Sequence, residues 1–399
     1  MWNSLLKGRA LVLLFAIGLF VLTPDLTRVG DMPAIVGTGA RVFAQQSDTG
    51  KQEEGKKKPD KKEPFGIHRL THDTHLQELG AVSPDGQSML VVARKNNTAP
   101  NIYIMELKGY HAMKQVTNLA AGAANPVWSP AGDSIAFDGV DQTTAFAQIN
   151  LVNLAAAQAR QLTNNNFTNK TPVFSADGKR LFYTTDESPL PDAAFGIWHV
   201  ASIATTGKSK GEYFTDDETS SVLPKVSPDG KTVLLVKVSE SGRHSLWEYG
   251  LEGKPHKDLT GDRLARIHSY VINPAGGSIV IWGQEQPERQ EDIYILDLKS
   301  GGLTPLPDPD LPKRNPAVSP DGKLIAFIGP AGEGNFLFLY DSTTGDIEQL
   351  SKKGDNSFTP VFTSNQTILF GSDREAENEG DFNDVYMADL TSRMNSKKK

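Results

Sequence analysis

The chain has 399 residues, with 41 Lys or Arg against 48 Asp or Glu, a net charge of −7 and no cysteine. That balance, with Lys runs only near the ends, excludes the basic face of a nucleic-acid binder, and the missing thiols exclude disulfides, a cysteine nucleophile and thiolate-held zinc. Gly (36) and Pro (24) are plentiful and 38% of residues are apolar, which suits many short strands joined by turns rather than a helical bundle.

Lys7 and Arg9 precede an unbroken apolar run from Ala10 to Leu22 that ends at Thr23-Pro24. A basic start followed by ~7–15 apolar residues is the plan of a secretory signal, and the run falls short of the ~20 residues a membrane span needs. Residues 1–44 are therefore expected to be a signal peptide cleaved after Val42-Phe43-Ala44, with an uncleaved anchor as the alternative. Either outcome places the bulk of the protein outside the cytoplasm, periplasmic or secreted, with no stable membrane insertion unless the segment is retained. Residues 45–65 are charged and lack apolar periodicity, so they read as a disordered linker.

From residue 66 to 392 the chain repeats one unit. Ser-Pro-Asp-Gly or a close variant begins at Ser83, Ser129, Ser175, Ser227, Asn273, Ser319 and Thr363. A period of ~40–45 residues with several strands per unit marks propeller blades. Each unit opens on an inner strand such as Pro126-Val127-Trp128, followed by a tight turn in which Gly accepts positive φ and Asp binds the turn backbone. An apolar second strand follows, as in Val233-Leu234-Leu235-Val236, suited to burial on both faces. The third strand is expected to carry an aromatic at one register: Tyr103, Trp198, Trp247, Tyr294, Phe338 and Tyr386, with Ile149 in the second repeat. A short fourth strand ends in Thr or Ser, as at Thr117, Thr163, Thr215, Thr260 and Ser351.

The seventh repeat stops after its third strand, while Ile67-His68-Arg69-Leu70-Thr71 reads like a fourth strand ahead of the first repeat. The pattern predicts an all-β fold: a seven-bladed β-propeller of four antiparallel strands per blade, closed by an N-terminal strand that completes the last blade and removes open edges. Residues 393–399 are expected to be a basic disordered tail.

The strand–SPDG–strand–aromatic strand–LT unit, seven times over, resembles the TolB-like, WD40-like propeller family with its PD40 repeats. The resemblance covers residues 66–392 and implies the architecture, not a particular activity.

Catalytic motifs find little support. Gly207-Lys208-Ser209-Lys210-Gly211 matches G-x-S-x-G, but the hydrolase elbow needs a buried strand, a sharp turn and a helix, and here Thr residues precede a short strand. His68, His72 and His75 have helical ligand spacing where no helix is expected, so they read as surface histidines. The acidic loop from Asp373 to Asp384 invites calcium, yet its sixth position is Asn378 and its twelfth Asp384, against the Gly and Glu of an EF-hand. No metal site or cofactor is expected, calcium at that loop being the one weak exception. Trp282 reads as core.

Propellers bind ligands where loops converge at the channel ends. Aligning the repeats puts Leu79, Asn125, Thr171, Leu223, Ser269, Asn315 and Thr359 at one position near a mouth. Loops around it carry Lys170, Arg263, Arg266, His268, Lys313 and Arg314 in one set, and Arg94, Arg243, Arg289 and Arg374 in the other. Arg is favoured at interfaces. The binding site is therefore placed at Asn125, Thr171, Ser269, Asn315 and Thr359, with a rim of Lys170, Arg266, His268, Arg314, Arg94, Arg289 and Arg374. The reading is a monomeric, non-enzymatic scaffold for a protein or peptide partner in the cell envelope. The alternatives are a propeller lyase, lactonase or glycan hydrolase with a channel-centred site, and a small-molecule or glycan sensor.

Overall fold

A computed structural model describes residues 66–391, apart from 73–74, 96–97, 141, 189–195, 208–209, 216–217, 352–355 and 375–382. The signal-like segment, the charged linker, the basic tail, Ser209 and most of the acidic loop after Asp373 lie outside the described residues. Within them the chain forms seven antiparallel four-stranded sheets arranged as the blades of a ring. The innermost strands of blades 1 to 7 are Leu76–Val82, Ala123–Trp128, Asn169–Phe174, Ser220–Val226, Arg266–Ile272, Arg314–Val318 and Ser357–Ser364. Among the described residues no helix is long and apolar enough to cross a membrane.

Turn chemistry starts each blade. In blade 1 the Ser83 hydroxyl donates to Asp85 at 2.6 Å, Asp85 accepts the Gln87 N–H at 3.0 Å, and Ser83 Oγ accepts the Ser88 N–H at 3.0 Å. The same bonds recur at Ser175, Ser227 and Ser319. A side chain thus replaces the backbone partners that a reversing chain would lose. These contacts hold the carboxyls of Asp85, Asp177 and Asp229 below the usual carboxylate range.

The apolar second strands supply the core. Leu90, Phe137, Phe182, Leu235, Ile281, Phe327 and Phe370, one from each blade, are essentially inaccessible. Each is sandwiched between neighbouring blades and contributes roughly 1.5–3 kcal/mol by leaving water. The clusters they join cross blade boundaries: Leu337 and Leu339 of blade 6 pack with Phe362 and Phe370 of blade 7.

The terminal Thr or Ser of the fourth strand has a defined task. Hydroxyls of Thr117, Thr163, Thr215, Thr260 and Ser351 accept the N–H of Ile102, Ile149, Val200, Leu246 and Leu337 at 2.8–3.0 Å. Thr71 does the same for Val385 at 2.9 Å, although 314 residues separate them. The strand Gly66–Arg69 pairs with Asp384–Asp389, and Arg69 binds Asp384 at 2.6 Å. The expected closure by an N-terminal strand is what the chain adopts.

The aromatic register needs a correction. Tyr103, Trp247, Tyr294, Phe338 and Tyr386 do face the fourth strand at one equivalent pairing. In blade 2 that position is Asn150, opposite Gln161, rather than Ile149. In blade 3 Trp198 falls just ahead of the third strand, and Ala201 holds the position, opposite Tyr213. The longer third repeat displaces the tryptophan into the connection. Tyr183 on the second strand, paired with Ala201, supplies the missing bulk.

Candidate binding site at the channel mouth

The aligned position on the inner strands is a backbone device. Asn125, Thr171, Leu223, Asn315 and Thr359 all adopt positive φ, between 45° and 54°. In each of these blades the pairing with the second strand shifts at this point, a β-bulge. Each is followed by a buried proline: Pro126, Pro172, Pro224, Pro316 and Pro360. Proline cannot donate to the ladder, so the pairing breaks there, and the bulge is taken up by the preceding residue in a left-handed conformation that Leu and Thr resist. Leu79 and Ser269, which lack a following proline, do not take it.

Neighbouring blades satisfy the groups that the bulges release. Asp138, a buried carboxylate on the second strand of blade 2 (Ser134–Val140), accepts the Asn125 amide at 2.9 Å and the Thr171 N–H of blade 3 at 3.1 Å. The Tyr270 hydroxyl reaches back from blade 5 to the Leu223 and Leu234 carbonyls, at 2.8 and 2.9 Å. Thr171 and Thr184 exchange a hydroxyl hydrogen bond of 3.0 Å.

Ionisable groups stand beside this ring. Burial pushes Asp138 up to about 6 against the pull of its hydrogen bonds and of nearby Lys170. Glu78, one residue ahead of the aligned position in blade 1, is pushed up to about 7 by burial and by the charge of Asp138. Lys225 in blade 4 is brought down to about 8 by burial, and its ammonium sits 5.2 Å from the Tyr270 ring centre.

Blade 5 departs from the others. Its extra residue is His268, between the paired Ile267 and Ser269. The imidazole packs against Trp282, tilted 33° with ring centres 4.7 Å apart, and Glu291 bridges the two rings, 3.5 Å from His268 Nε2 and 3.3 Å from Trp282 Nε1. Burial holds the His268 imidazole below its ordinary pKa, with Glu291 opposing. Trp282 packs against an apolar cluster, as its place in the sequence implies.

The sequence-predicted rim divides into free and committed side chains. Arg94 and Arg266 are exposed. Arg289 is exposed and pairs loosely with Glu285 at 3.4 Å. Arg314 binds Asn335, and Arg374 lies over the Phe370 and Tyr386 rings at 5.6 and 5.1 Å. Asn125, Thr171 and Lys170 converge on Asp138, while Ser269, Asn315 and Thr359 stand half-buried on their own blades. Lys313 corrects the expectation of a rim cation. It is fully buried, ion-paired with Asp292 at 3.0 Å and donating to the Asp308 and Leu311 carbonyls. Arg243 and Arg263 donate to loop carbonyls and so tie neighbouring connections together.

Sequence reasoning passed over Glu78, Asp138 and Lys225. A signal was present: Asp138 interrupts the apolar run Ile135-Ala136-Phe137, and Lys225 replaces the Val or Ala found two residues after the aligned position elsewhere. Among the described residues no three His, Asp or Glu side chains gather closely enough to hold a metal ion.

The family described as TolB beta propeller domain, PD40, matches residues 74–265. The Tol-Pal system protein TolB of Francisella tularensis subsp. holarctica is 22% identical over 272 residues, 68% of this chain and 58% of that protein. The uncharacterized peptidase YuxL of Bacillus subtilis is 26% identical over 146 residues, 28% of this chain and 22% of that protein. The chain thus spans less than two thirds of either relative. Among solved structures, the oligogalacturonate lyase of Vibrio parahaemolyticus superposes with a TM-score of 0.63 at 16% identity, over 82% of this chain and 94% of that one. Likeness at that level establishes the fold, which hosts many functions.

Proposed function

We propose that this chain, which is a TolB-like β-propeller of PD40 repeats, works outside the cytoplasm as a non-enzymatic scaffold that engages a protein or peptide partner across one mouth of its channel. The observation that carries this reading is the ring of strained residues. Five non-glycine residues at positive φ cost stability, yet they recur at one register of the innermost strand in five of the seven blades. They hold that surface rigid, and rigidity before binding lowers the entropy that association must overcome. The binding surface is then the ring of Asn125, Thr171, Ser269, Asn315 and Thr359. Its rim is Lys170, Arg266, His268, Arg314, Arg94, Arg289 and Arg374.

The test is native mass spectrometry with elemental analysis on the full chain purified from its host envelope. A co-purifying protein lost from an Arg266→Glu, Arg289→Glu variant supports the scaffold. A stoichiometric cofactor or metal with no protein attached overturns it.

An enzyme reading draws on one observation, that burial raises the carboxyls of Glu78 and Asp138 toward neutrality, the range a general acid or base needs. Turnover of an acidic oligosaccharide or a small ester, abolished by Glu78→Gln, would favour it.

A further inference from the structure

Large apolar side chains are seldom exposed on this protein. Among the described residues seven stand out, and three of them, Val140, Phe146 and Phe167, belong to one sector of the ring, at the end of a blade 2 strand and in the connections beside it. Val140 ends the second strand of blade 2 and pairs with Ala147, the neighbour of Phe146 in sequence. The Gln148 side chain, one residue beyond Ala147, donates to the Phe167 carbonyl at 2.9 Å. The three are thus linked by one strand pair and one hydrogen bond, at 37%, 36% and 39% exposure. A patch of this kind on an otherwise well-covered surface marks a place where something docks.

Two residues inward along the same strand is Asp138, and near it Glu78. Asp138 is satisfied by Asn125, by the Thr171 N–H and partly by the charge of Lys170. Glu78 is half-buried, and its carboxyl has no side-chain hydrogen bond or ion pair among the described residues. A carboxylate drawn into the ring without a countercharge is costly, and a cation brought to it would recover that cost. Apolar shelf and unpaired carboxylate lie on adjoining blades.

We infer that the partner of the scaffold proposed above presents a basic–apolar peptide segment, whose Lys or Arg side chain enters beside Glu78 and Asp138 while a neighbouring aliphatic or aromatic residue covers Val140, Phe146 and Phe167. The inference rests on the scaffold reading and specifies its partner. Charge complementarity selects the occupant. An acidic segment meets two carboxylates against one lysine, and a purely apolar one leaves Glu78 uncompensated. The sector on blades 1 to 3 then determines specificity, and the exposed arginines of blade 5, Arg266 and Arg289, form a separate part of the rim.

The experiment presents a random peptide library to the immobilised full chain and reads the enriched sequences. The expected result is enrichment of peptides with Lys or Arg next to Leu, Ile, Phe or Trp. Affinity for such peptides falls tenfold or more in a Glu78→Gln, Asp138→Asn variant, and several-fold in Phe146→Ser, Phe167→Ser, whose exposed positions leave folding intact. Amides preserve the hydrogen-bond acceptors at both carboxyl sites, so loss of binding reports charge. Enrichment of acidic peptides that depends on Arg266 and Arg289 overturns this sector assignment while leaving the scaffold reading in place. No enrichment of any peptide overturns both. Basic peptides whose binding survives both variants place the segment elsewhere and also overturn the inference.

Discussion

Arg69 and Asp384 lie 315 residues apart in sequence and 2.6 Å apart in the ring, where Asp384 also accepts the Thr71 hydroxyl at 2.8 Å. Asp384 is almost wholly inaccessible, while Arg69 keeps an edge in water. The contact is the clasp that joins the first strand to the last blade.

Asp384→Ala removes both acceptors of the clasp at once. Breaking a buried pair by deleting one partner costs on the order of 3–5 kcal/mol, reduced here to about 2–4 because Arg69 can turn to solvent. The urea midpoint should fall with an unchanged slope, since the whole ring depends on closure. Asp384→Asn, which still accepts from Thr71, should lose less.

The recurring hydroxyl makes a sharper prediction. Thr163→Val keeps the shape but leaves the Ile149 N–H buried and unpaired, at a cost of about 1–3 kcal/mol. Thr163→Ser should retain most of the stability. Thermal unfolding of the two variants side by side checks that the hydroxyl, and not the methyl group, is responsible.

Strain at the bulges can be measured directly. Thr359 is β-branched and held at φ 45°. Asn tolerates this region far better, so Thr359→Asn should stabilise the protein by about 0.5–1 kcal/mol. A denaturation midpoint that does not rise would show that the ring carries no strain there.

Glu78 gives stability a pH dependence of known sign. Its carboxyl is raised from 4.5 to about 7 by burial and by Asp138, whose own is raised from 3.8 to about 6. Between the unfolded and folded values the native state binds more protons than the unfolded chain, so stability falls as pH rises from about 4 to 7. Glu78→Gln replaces a carboxyl that is disfavoured at this site only when ionised. The variant should exceed the parent in stability at pH 8 by about 1–3 kcal/mol and match it near pH 5. Melting temperatures at the two pH values decide the matter.

Blade count, strand order, turns and ring closure were legible because each rests on contacts short in sequence or repeated seven times. Ser83 and Asp85 bind each other within one turn. The hydroxyl of Thr71 could be matched to those of Thr117 and Thr163 from the pattern alone. Where the pattern slipped, at Trp198, a long connection had shifted spacing without shifting pairing, and at Ile149 the equivalent residue is simply the next one, Asn150; spacing was all that could be read.

The site was less legible. The aligned ring was found by register, but its positive φ values arise only when a strand interrupted by proline must still pair with its neighbour across a bulge. Lys313 looked like a rim cation because its loop is near the mouth; the fold buries it against Asp292. Above all, sequence by itself determined a ring of seven blades, since periodicity, turn chemistry and alternation are local. Only the tertiary structure decided that Glu78 and Asp138, sixty positions apart on different blades, would share one low-dielectric space. Charge–charge coupling and desolvation depend on distance and burial, and neither exists until the ring has closed.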